Sequence, residues 1–194
     1  MKKNVAILLF DEVEVLDFAG PFEVFTVTNE LSSHTTLNVF TFAQAPGTVR
    51  ACNGLKVVPD YTVENCPMPN LLVIPGGFGT RALLNKPALL EWLRIKARTA
   101  EIVMSVCTGS LVLAKAGLLD GLEATTHHER IDMLREISPK VKVTPEARFT
   151  DNGRICTAAG ITAGIDLSLH VVARLFNRDT AAKTARYMEY PFSP

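Results

Sequence analysis

No apolar run in these 194 residues approaches the roughly 20 that a membrane-spanning helix needs. No charge of one sign dominates. Lys plus Arg number 20 and Asp plus Glu number 20, so there is no basic field to hold a nucleic acid nonspecifically. No C-x-x-C pair occurs among Cys52, Cys66, Cys107 and Cys156, which argues against a structural zinc site. No H-x-x-x-H or H-E-x-x-H spacing joins His34, His127, His128 and His170, which argues against any metal site. There is no G-x-G-x-x-G turn, no Gly-Lys-Ser/Thr after a glycine-rich turn, no repeat, no linker and no low-complexity stretch. A secretory leader is missing too. "MKKNVAILLF" has two lysines and the short apolar run "VAILLF", but acids follow at once and no small-residue cleavage site appears. It reads as the first strand of a cytoplasmic protein. On that reading the cysteines are free, partly buried thiols rather than two disulfides.

Hydrophobic residues make up 47% of the chain, which excludes disorder, and the length suits one compact domain over 1–194. The runs "NVAILLF", "LNVFTFA", "NLLVIPGG" and "EIVMSV" are nearly continuous in apolar residues. Strands of that kind are buried on both faces, as in a parallel sheet. Helical patterns alternate with them. One is expected over 21–31, entered at Gly20-Pro21, and one over 86–99 with Trp92 on its apolar face. A third starts at 110–116. A fourth, over 162–176, puts Ile165, Leu169, Val172 and Phe176 on one stripe, and a short last helix covers 179–188. Asn53-Gly54 and Asn152-Gly153 mark two hairpin turns. The pattern predicts an α/β fold, an open doubly wound sheet that is mostly parallel.

One thiol falls at an informative place. In "IVMSVCTGSLVLAK", Cys107 lies at the corner between a buried strand and a helix. Ligands of open α/β sheets bind at the carboxyl ends of the strands. A helix N-terminus favours thiolate, the nucleophilic form, so the sequence predicts an exposed, ionised sulfur. Ser105 and Gly109, two before and two after, supply the small neighbours a tight elbow needs. A structural cysteine that ends a strand is the competing reading. Two features favour the nucleophile. "IPGGFGT" at 74–80 brings Gly76 and Gly77 to a strand end, where bare N–H groups can meet an anion. Asp17, between Leu16 and Phe18, is expected in the turn after the first strand, where burial would raise its pKa and keep it protonated as a donor. His127, 20 residues past Cys107, is a candidate to polarise the sulfur or bind a substrate group.

These residues together resemble the DJ-1/PfpI (ThiJ/PfpI) superfamily. "VAILLFDEVEVLDFAGPFEVF", "VIPGG", "SVCTGSLVLAKAGLLDG", "ATTHHE" and "AAGITAGIDLSLHVV" carry the resemblance across nearly the whole chain. It is strongest with the branch that holds isonitrile hydratases and the sensor-like domains of some AraC-type regulators. The resemblance implies a flavodoxin-like α/β/α sandwich, a homodimer and cofactor-free chemistry on a small-molecule substrate. It places the elbow nucleophile on Cys107, the partner acid on Asp17, and the oxyanion donors on the backbone N–H groups of Gly77 and Thr108. Thr108 follows the cysteine as in isonitrile hydratases, where the protease- and glyoxalase-like branches carry His. "AAGITAGID" lacks the His-x-Glu pair of glutamine amidotransferases. The implied activity is cysteine-dependent hydration of a small electrophile, an isocyanide to an N-substituted formamide. The alternative is a non-enzymatic redox or ligand sensor. A chain ending at "ARYMEYPFSP" leaves no room for a helix-turn-helix domain, which favours a stand-alone protein over a DNA-binding regulator.

Overall fold

A computed structural model of the chain describes residues 2–191, so the last three residues of "ARYMEYPFSP" lie outside the described residues. Strand β1 (Lys3–Leu9) is the centre of the fold, and Val5–Leu9 are all but fully buried. It is followed by α1 (Val15–Leu31), β2 (Leu37–Ala43), the hairpin β3 (Val49–Arg50) and β4 (Lys56–Val57), and β5 (Tyr61–Thr62). Next come β6 (Leu71–Ile74), α2 (Thr80–Leu83), α3 (Pro87–Thr99), β7 (Ile102–Val106), α4 (Gly109–Lys115) and β8 (Glu123–Ala124). The chain continues through α5 (Ile131–Ile137), β9 (Lys142–Val143), β10 (Phe149–Asp151), β11 (Ile155–Ala158), α6 (Ala163–Leu175) and α7 (Arg178–Tyr187).

The main sheet has the order β10-β11-β7-β6-β1-β2-β5. Only the β10–β11 pair in it is antiparallel. Counting its long strands alone gives 2-1-3-4-5, the flavodoxin-like doubly wound order. Helices α1, α6 and α7 pack together on one face, and α2, α4 and α5 on the other. The predicted α/β class and the continuous apolar strands therefore hold. Both hairpins form as well: Asn53 (φ +60) and Gly54 (φ +91) turn the first, and Gly153 (φ +82) the second.

Two expectations are corrected. Helix α1 starts at Val15, not at Gly20-Pro21, so Pro21 lies inside it. The proline removes the N–H that would reach the Asp17 carbonyl one turn back and sets its ring against that carbonyl. Burial of Phe18, Val24 and Phe25 outweighs both. Asp17 thus projects from the first helical turn rather than from a loop. Helix α6 buries more than the expected stripe. Leu169 and Val172 are buried, but so are Leu167, Ser168 and Val171, because α1 and α7 flank it as well as the sheet. All four cysteines are free.

Candidate active site

Cys107 sits between β7 and α4 with φ +55, a left-handed conformation that non-glycine residues seldom adopt. The strain is held by the surroundings. The Cys107 N–H donates to the carbonyls of Ala158 (3.1 Å) and Ala159 (2.8 Å). Its carbonyl accepts from the hydroxyls of Thr126 (3.0 Å) and Ser110 (3.1 Å). A Cβ on Gly109 would stand 2.0 Å from the Ile74 carbonyl oxygen, so the residue two past the cysteine must be glycine. Of the two small neighbours predicted for the elbow, Gly109 is the one the backbone demands. Ser105 is a fully buried strand residue.

Asp17 is 0% exposed. Its Oδ2 accepts the Gly76 N–H at 3.0 Å, while Oδ1 has no hydrogen-bond partner. The carboxyl lies beside the Cys107 sulfur, and each group shifts the other. Burial first, and then the nearby charge of Glu14, raises Asp17 to about 7 against the pull of the Gly76 N–H. Burial first, and then the charge of Asp17, pushes the Cys107 thiol up to about 12, with the Thr108 N–H and hydroxyl acting the other way. The raised acid agrees with the sequence reading. The ionised, exposed sulfur does not: Cys107 is only 6% exposed, and desolvation beside an acid outweighs the end of a helix of seven residues. The two groups share one proton over most of the working pH range, and they titrate as a pair.

The glycine turn serves this pair in an unexpected way. A Cβ on Gly76 would lie 2.6 Å from Thr108 N and 2.8 Å from Asp17 Oδ2, so only glycine lets the turn pass between the acid and the elbow. Gly76 holds the acid and is not part of the pocket wall. The Gly77 N–H, expected to face an oxyanion, donates instead to Thr108 Oγ1 at 2.9 Å. The Thr108 hydroxyl in turn donates to the Gly77 carbonyl at 3.2 Å. Thr108 therefore clips the elbow to the turn, and its backbone N–H is the donor that faces the sulfur.

A pocket of about 150 Å³ opens above Cys107. Thr108, Gly77 and His127 line it, with Glu14, Phe78, Arg81, Glu129, Arg130 and Ile161. His127 Nδ1 accepts the Glu129 N–H at 3.3 Å, which leaves the proton on Nε2. Burial and the neighbouring His128, whose ring lies 4.3 Å away, pull the His127 pKa down. It is a neutral donor, and not the group that ionises the thiol. Phe78 (68% exposed) and Ile161 (37% exposed) are large apolar side chains at the rim. Ile161 has φ +52, which no sequence signal marks. Glu14, Arg81 and Arg130 were equally hidden, since they reach the pocket from three separate elements. Phe78, an aromatic between glycines, was the one visible hint.

A second cluster was also missed. Cys156 donates to Asp151 Oδ1 (3.4 Å), which also accepts from Arg174 (3.0 Å), while His170 bonds Asp151 Oδ2 (2.7 Å). It ties the edge strand β10 to α6. Among the described residues, no group of three or more His, Cys, Asp or Glu side chains is placed to hold a metal ion. No helix there is long and apolar enough to cross a membrane.

A profile of the DJ-1/PfpI family matches residues 3–174. Isonitrile hydratase of Pseudomonas putida is 35% identical, with 100% of this chain and 81% of the hydratase covered. The HTH-type transcriptional regulator CdhR of Pseudomonas aeruginosa is 36% identical, with 95% of this chain covered but only 54% of the regulator. The crystal structure of a ThiJ/PfpI family protein from Pseudomonas syringae superposes with a TM-score of 0.89 at 31% identity, covering 100% of this chain and 77% of that one. The fold, the elbow geometry and the match over nearly all of the sequence agree: the chain belongs to the DJ-1/PfpI family.

Proposed function

We propose that the protein hydrates a small electrophile, an isocyanide, to its N-substituted formamide. The observation that carries this reading is the buried Asp17–Cys107 pair, of which Cys107 lines a small pocket and Asp17 lies behind it. An isocyanide carbon must receive a nucleophile and a proton at one atom. A thiol and a carboxyl that share a proton side by side supply both. Asp17 carboxylate takes the thiol proton as the sulfur attacks the terminal carbon, then passes it to that carbon. The S–C and C–H bonds form, and a neutral thioimidate results. Water adds to its C=N bond. The tetrahedral adduct expels the thiol and leaves the formamide, so no oxidant, reductant or cofactor is consumed. The Thr108 N–H faces the sulfur where charge develops, and His127 Nε2–H is available to a polar group of the bound molecule. The similarity to isonitrile hydratase supports the substrate class, and the apolar Phe78 and Ile161 rim suits a hydrocarbon side group.

Rapid-quench intact mass spectrometry during turnover of cyclohexyl isocyanide tests this. A transient gain equal to one whole isocyanide, on Cys107, is expected in the wild type and not in Cys107→Ala. Turnover by Cys107→Ala would rule the mechanism out. The similarity to transcriptional regulators favours ligand sensing as the second reading.

A further inference from the structure

We infer a second small-molecule site, separate from the Cys107 pocket, that takes a compact apolar molecule with an anionic head. Strands β2 and β6 flank β1 on opposite sides, so the chain leaves β1 at the topological switch point of the sheet. Crevices open at the carboxyl ends of the strands there. The Cys107 pocket fills the side toward β7. On the side toward β2 lies a larger cavity of about 320 Å³. The wall between them is two turns in backbone contact. The Gly79 N–H donates to the Glu12 carbonyl at 3.1 Å, and a Cβ on Gly79 would stand 1.9 Å from the Asp11 carbonyl oxygen.

The cavity has the makeup of a ligand site, a mostly apolar concavity with few polar groups. Leu8, Phe10, Leu83 and Leu89 form its walls, and all four are buried. The exposed loop 44–48 is its roof. That loop turns at Gly47 (φ +122), where a Cβ would meet nothing within 4 Å. Two charged groups reach the cavity. Asp11 Oδ1 accepts the Arg50 N–H at 2.8 Å, which draws that carboxylate toward the β3–β4 hairpin. Lys86, an exposed residue, is the one lysine that lines the cavity, and among the described residues it has no carboxylate within 4 Å, as is true of most lysines of the chain. A carboxylate on Lys86 with a hydrocarbon body against the leucines satisfies both halves of the cavity.

The inference does not depend on the hydratase reading, and cyclohexanecarboxylate is the probe. Titrated into the full chain and followed by methyl NMR, it should shift Leu8, Leu83 and Leu89 with a Kd of about 1 mM or tighter and leave Ile161 unmoved. Cys107→Ala should bind equally well. Lys86→Met keeps the stem and loses the charge, and should weaken binding about tenfold. Uncharged cyclohexylmethanol should bind as weakly to the wild type as the acid does to Lys86→Met. Absence of saturable shifts, shifts confined to Ile161, or an affinity unchanged in Lys86→Met would each overturn the assignment.

Discussion

Replacing Asp17 by asparagine should move two rates in opposite directions. In the wild type, the reactive form has thiolate on Cys107 and the remaining proton on Asp17. Asp17 titrates at about 7, and once it is ionised its charge helps hold the thiol up to about 12. Above the Asp17 value the fraction of that form levels off, because making thiolate then requires the acid to be reprotonated, so each further pH unit sets the wild type tenfold further behind a sulfur with no charged neighbour. Asparagine carries no charge, so this penalty vanishes while burial remains. Alkylation of Cys107 by iodoacetamide should then run equally fast in both proteins at about pH 6. It should be about tenfold faster in Asp17→Asn at about pH 8, rising toward a hundredfold at about pH 9. Isocyanide turnover should instead fall about 10²–10⁴-fold, because asparagine cannot deliver the proton. The alkylation rate is read at the Cys107 peptide by mass spectrometry, which separates it from Cys52, Cys66 and Cys156. Alkylation that slows in the variant, in step with turnover, would refute the reasoning, because the Asp17 charge would then not be what holds the thiol up.

Three further outcomes are expected. Gly76→Ala forces a methyl to within 2.8 Å of Thr108 N and Asp17 Oδ2, so stability should fall by about 1–3 kcal/mol and turnover by more than about tenfold; unchanged melting and kinetics would contradict the close approach. Asp151→Asn weakens the tie between β10 and α6 and should cost about 1–2 kcal/mol near neutral pH. Burial would lift the Asp151 pKa, but the bonds from His170, Gly153 and Cys156 and the charge of Arg174 hold it below the usual carboxylate range. That stability is present above the unfolded value of about 3.9 and lost as pH falls, so the gap in Tm should close toward about pH 3. Leu93→Ala empties a fully buried site in the middle of α3 and should cost about 2–5 kcal/mol in urea unfolding, against under about 1 kcal/mol if that face of the helix is loosely packed.

The sheet was legible because its strands are buried on both faces and carry unbroken apolar runs. The two hairpins were legible because Asn-Gly pairs can adopt positive φ cheaply. The start of α1 was not, since Gly20-Pro21 is a strong boundary signal and only packing shows that the helix runs through it. Within the site, Cys107 and Asp17 were readable from their places after β7 and β1. Their ionisation was not. A helix N-terminus suggests a thiolate, but burial and a neighbouring acid are properties of the assembled fold. The part played by Thr108 was hidden for the same reason: a hydroxyl that takes the Gly77 N–H is a contact between residues 31 apart. Glu14, Arg81 and Ile161 converge on the pocket from separate elements, and no spacing in the chain encodes that convergence.

The measurement that tests the central claim most directly is turnover of cyclohexyl isocyanide to its formamide, for wild type, Cys107→Ala and Asp17→Asn. The account predicts turnover by the wild type and its loss in both variants, with all three proteins folded. A folded wild type that forms no formamide, or an Asp17→Asn protein that turns over as fast as wild type, would contradict it.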